Sequence, residues 1–85
     1  MGRMPIPEKD DCVTLVVETG DPLTLKEAQD FVGGYIEIIV KGDVQIVVNE
    51  EGLLHRLPEN TFASIFASQP LVGNVLVLAG PAKLP

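Results

Sequence analysis

The chain has 85 residues, and at this length folding removes only about 60 to 65% of the surface that the extended chain exposes, so a single domain with a modest core is expected. One cysteine and one histidine exclude a disulfide within the chain and a structural zinc site built on Cys and His. Twelve acidic residues against six basic ones give a net charge of −6, and the basic residues are scattered, which excludes a patch able to displace counterions from a nucleic acid.

Residues 1–11 hold Pro5, Pro7 and several charges and read as a flexible N-terminal arm. They contain no apolar run of the signal-peptide kind, and no stretch approaches the roughly 18 apolar residues of a membrane span, so a cytoplasmic protein is expected. CVTLVVE at 12–18 is β-branched and apolar and ends at Gly20-Asp21-Pro22, which predicts a largely buried strand. In LTLKEAQDFVGG, Thr24 and Glu27 form a capping box, Leu23 faces Ala28 as a staple, and Leu25, Ala28, Phe31 and Val32 share one face. Gly33 then ends the helix in the left-handed conformation.

YIEIIVKGDVQIVVNEEG predicts a β-hairpin, with two registers to choose between. A two-residue turn at Gly42-Asp43 leaves both faces mixed, whereas a three-residue loop at Lys41–Asp43 pairs Val40 with Val44, Ile38 with Ile46 and Ile36 with Val48 on a wholly apolar face. Turn chemistry favours the first and burial the second, and burial is taken as decisive. The other face then carries Tyr35, Glu37, Ile39, Gln45, Val47 and Asn49, a candidate contact surface. LLHRL at 53–57 reads as a short third strand of a meander. Phe62, Ile65 and Phe66 give a helical stripe stopped by Ser68-Gln69-Pro70. VGNVLVLAG supplies a strand apolar on both faces, hence central or covered.

The order β-α-β-β-β-α-β predicts an α+β two-layer sandwich, a mixed sheet with two short helices on one face. Ferredoxin-like and β-grasp-like arrangements both satisfy it. The single domain spans 12–80, and 81–85 is a C-terminal tail.

The chain holds no nucleotide-binding or nucleophile motif. Gly33 and Gly34 follow a helix instead of preceding one, where the dipole disfavours anions. Glu50-Glu51 sits in a turn, His55 on a surface strand, and Cys12 at the head of a strand as a small hydrophobe. No catalytic residue, metal ligand or cofactor is assigned.

The ordered strings GGYIE, VVNEEG, LPEN and VGNVLVL, spread over about residues 13–79, resemble those of a family of small uncharacterised domains from bacteriophages, plasmids and bacteria. The resemblance implies a phage or mobile-element accessory protein. Of the residues in those motifs, Tyr35, Glu37 and Asn60 have no turn or cap explanation. With Asn49 they form the candidate binding set. The expectation is a non-enzymatic protein that acts by binding, as a homo-oligomer, because 46% hydrophobic residues are more than a small soluble monomer conceals. A host protein with a basic face is the expected partner; the alternative is sequestration of a nucleotide signal in a pocket between subunits.

Overall fold

A computed structural model describes residues 12–84, and the arm expected at 1–11 lies outside them. The chain forms a four-stranded sheet in the order β1-β4-β3-β2, from β1 (Thr14–Val17), β2 (Ile36–Lys41), β3 (Val44–Asn49) and β4 (Val75–Leu78). Two helices, α1 (Leu25–Val32) and α2 (Thr61–Ala67), join them. β1 runs parallel to β4, whereas β4 with β3 and β3 with β2 are antiparallel, so the sheet is mixed and of the expected α+β class.

The helices do not share a face. Ile46, Val48, Val75 and Val77 pack against Ala63 and Ala67 of α2, whereas Val47, Leu76 and Leu78 pack against Ala28 and Val32 of α1. Successive residues of a strand point to opposite sides, so the sheet is sandwiched between α1 and α2 in three layers and not in the two expected. β4 lies between β1 and β3 with all four residues buried, which accounts for its apolarity on both faces. β1 was expected to be largely buried; it is an edge strand, with Leu15 and Val16 exposed.

α1 forms as its local signals dictate. The Thr24 hydroxyl accepts from the Glu27 amide at 3.1 Å, the Thr24 amide donates to the Glu27 carboxylate at 2.9 Å, and Gly33 closes the helix at φ 87°. The hairpin takes the other register from the one expected. Lys41 faces Val44, Val40 faces Gln45, Ile38 faces Val47 and Ile36 faces Asn49 across a two-residue Gly42-Asp43 turn. Gly42 adopts φ 60°, as the first centre of a type II′ turn requires. Burial could not select the register, because both faces of this sheet are covered.

Leu53–Leu57 is a run of turns and not a strand. The Asn49 side chain accepts from the Glu51 amide at 2.8 Å and curls the chain, and the His55 amide then donates to the Glu51 carbonyl. The short extended element between β3 and α2 is one residue pair, Glu59 with Val72. After β4, residues that the sequence placed in a fraying tail are fastened. Ala82 and Leu84 are buried, and Gln45 exchanges two hydrogen bonds with the Leu84 main chain, at 2.7 and 3.1 Å.

Candidate binding surface

The corrected register separates the four residues of the candidate set. Glu37, opposite Val48, stays on the face that α2 covers and is exposed there, whereas Tyr35 lies just before β2 and is exposed beside α1. Asn49 moves to the α1 face and is buried, its amide donating to the Val32 carbonyl at 3.1 Å. It therefore ties the end of α1 to the end of β3. Asn60 is 3% exposed and caps α2. Its Oδ1 accepts from the Ala63 amide at 3.1 Å, while Nδ2 donates to the Gly73 carbonyl at 3.0 Å and to the Thr14 hydroxyl at 2.9 Å. Both amides are spent on the fold. Asn74, the third buried polar side chain, accepts from the Val13 amide at 2.9 Å and holds the start of β1 to that of β4.

Tyr35 borders a polar concavity of about 450 Å³ with Lys26, Gln29, Asp30, Glu51 and His55. Its polar groups already have partners: Lys26 pairs with Asp30 at 2.9 Å, and His55 Nε2 lies 3.3 Å from the Glu51 carboxylate. Glu37 belongs to a different, smaller hollow of about 190 Å³ beside Gln69 and Pro70. A third, apolar groove of about 500 Å³ is lined by Leu23, Leu25, Ile36, Ile38 and Leu84 on the α1 side of edge strand β2. Among the described residues no group of three or more His, Cys, Asp or Glu side chains is placed to hold a metal ion. No described helix is long and apolar enough to cross a membrane.

α2 turns outward the residues that the sequence showed as a helical stripe. α2 buries Ala63 and Ala67 and exposes Phe62, Ile65 and Phe66, at 64%, 75% and 42%. Its rotation is set by polar contacts at its first turn. Asn60 is anchored to β1 and to Gly73, and the Ser64 hydroxyl accepts from the Leu71 amide at 2.8 Å. With positions 60 and 64 turned toward the 71–73 segment, the alanines at 63 and 67 meet the sheet and the large side chains face out. A second signal was readable beforehand: no charged residue occurs between Glu59 and Lys83, although the chain carries eighteen charged residues elsewhere or at those limits.

Fold and surface together define a small α+β domain that places a helix on each face of its sheet and turns an uncharged aromatic ridge to solvent. The model of the family described as "Domain of unknown function (DUF3846)" matches residues 4–83, and the chain belongs to that family. No curated protein and no solved structure matches the chain.

Proposed function

We propose that the protein is a non-enzymatic module that acts by binding, as a homo-oligomer, and that the ridge of Phe62, Ile65 and Phe66 is the surface it offers to a partner protein. The observation that carries this reading is the orientation of α2. Each of these side chains, if buried, would contribute about 1.5–3 kcal/mol to folding, yet the helix places alanines inward and, among the described residues, this surface is left exposed. Exposed apolar surface of this kind supports a contact role.

The net charge of −6, with none of it on α2, favours a partner whose apolar centre is ringed by basic residues. The likeness of the ordered motifs to phage and mobile-element domains supports an accessory role directed at a protein of the bacterial host. The same acidic balance supports the absence of nucleic acid among its partners.

The test is site-specific photocrosslinking in the producing bacterium, with a benzophenone analogue of phenylalanine at position 62 or 65 and, as control, at Lys26 on the exposed side of α1. The expected result is an adduct of one discrete mass from 62 and 65, absent from 26 and lost when Phe66→Ser is added. An adduct of two copies of the chain, or equal capture at all three positions, contradicts the partner assignment.

A further inference from the structure

We infer that the outer edge of β2 is a self-pairing surface, on which two copies of the chain join antiparallel about a two-fold axis at Ile39 to form one eight-stranded sheet. The inference deepens the homo-oligomer reading above and rests on it.

β2 is the last strand of its sheet, six residues long, and among the described residues nothing pairs with its outer edge. Its hydrogen-bonding parity follows from its partner. Tyr35, just before the strand, accepts from the Glu50 amide of the neighbouring chain segment at 2.8 Å, so its main-chain groups turn inward. Alternation then turns those of Glu37, Ile39 and Lys41 toward β3 and leaves the amides and carbonyls of Ile36, Ile38 and Val40 directed outward. A second copy can pair only in a register that sets outward residues against outward residues.

Few such registers exist, and their charges separate them. Centred on Ile38, the pairing sets Glu37 opposite Ile39 of the other copy. Centred on Val40, it sets Glu37 opposite Asp43 and repels. Centred on Glu37, it sets that carboxylate against itself. Centred on Ile39, it sets Glu37 opposite Lys41 twice, Ile38 opposite Val40 twice, and Ile39 opposite its own copy. Within Glu37–Lys41 every opposition is then attractive or apolar. The two Glu37–Lys41 oppositions fall at non-hydrogen-bonded positions, where Cα atoms are about 4.5 Å apart and side chains come closest. Each Ile38–Val40 opposition exchanges two main-chain hydrogen bonds.

The same pairing covers exposed apolar surface. Val40 is 71% exposed and Ile38 40%, both on the α1 face beside the groove of Leu25, Ile36 and Leu84. Joined across the axis, they continue that face from one copy to the next. Natural edges are commonly guarded by charged side chains, above all lysine, by a proline or by a bulge. β2 has neither proline nor bulge, and its two charges, Glu37 and Lys41, are spaced to match each other across a two-fold axis. α2 stays uncovered, so the assembly presents two recognition ridges, one from each copy.

The test is a charge exchange read by light scattering and analytical ultracentrifugation of the purified full chain. Wild type is expected at twice the 9.1 kDa chain mass. Glu37→Lys alone and Lys41→Glu alone each set like charges opposite and raise the dissociation constant on the order of tenfold to a hundredfold. The double variant, Glu37→Lys with Lys41→Glu, restores the dimer, and so does mixing the two single variants, which pair as a heterodimer. Val40→Pro removes an outward amide that the monomer does not use and gives a folded monomer. A dimeric wild type in which neither the double variant nor the mixture recovers association overturns the β2 interface while leaving the homo-oligomer reading intact. A wild type monomeric up to hundreds of micromolar overturns both.

Discussion

Asn60 is where the structure makes its sharpest demand on a single side chain. Asn60→Ala removes the cap of α2, which costs about 1 kcal/mol. It also leaves the Gly73 carbonyl, in a buried residue, without its 3.0 Å donor, which costs about 1–3 kcal/mol more. The loss is then about 2–4 kcal/mol. At about 2.1 cal/mol/K per residue the unfolding entropy of this chain is about 0.18 kcal/mol/K, so Tm falls by about 10–20 °C. Asn60→Asp keeps an acceptor for the Ala63 amide but cannot donate to Gly73, and stays below wild type. Thermal unfolding followed by circular dichroism, with urea titration to check that the m-value is unchanged, reads both variants. A loss under about 0.5 kcal/mol for Asn60→Ala would refute the reasoning, and Asn60 would then be available for a ligand.

Three further substitutions examine the packing. Ala67→Leu forces extra atoms between α2 and the sheet and should cost about 1–3 kcal/mol, whereas Ile65→Ser, on the solvent side, should stay within about 0.5 kcal/mol; the reverse pattern in urea unfolding would mean that α2 is rotated by half a turn. Gly34→Ala places a Cβ 3.1 Å from the Asn49 amide nitrogen and presses it off the Val32 carbonyl, with an expected loss of about 1 kcal/mol. An unchanged melting temperature would show that Asn49 is not holding α1 to β3.

Local chemistry was legible in the sequence wherever it acts over a few residues. Thr24, Glu27 and Gly33 set the limits of α1 unaided, and of the two readings that the unbroken apolar run of β4 left open, central or covered, the sheet takes the central one. What failed was the step from burial to geometry. Choosing a hairpin register by collecting apolar residues on one side presumes a sheet with one dry face, and here α1 and α2 cover both. Gly42-Asp43 therefore decided the register through turn chemistry, and the contact face drawn from Tyr35 through Asn49 was divided between the two sides of the sheet. The facing of α2 was not legible in the sequence for a related reason. Phe62, Ile65 and Phe66 outrank Ala63 and Ala67 on any hydrophobicity scale, but the rotation of this short helix is fixed by Asn60 and Ser64 bonding to the 71–73 segment, a contact that periodicity does not encode. Asn49 and Asn60 show the same limit, since a buried amide satisfied by distant main-chain groups looks in sequence like one free to bind.

The claim that α2 is a recognition surface is tested most directly by the yield of photocrosslinking in living cells from position 65 relative to position 26. The expected result is at least a tenfold excess at 65, in a single adduct heavier than the chain by one host protein, and its disappearance with Phe66→Ser. Equal yields at 65 and 26, in cells where the protein is folded and abundant, would mean that the ridge meets only solvent and would contradict the account.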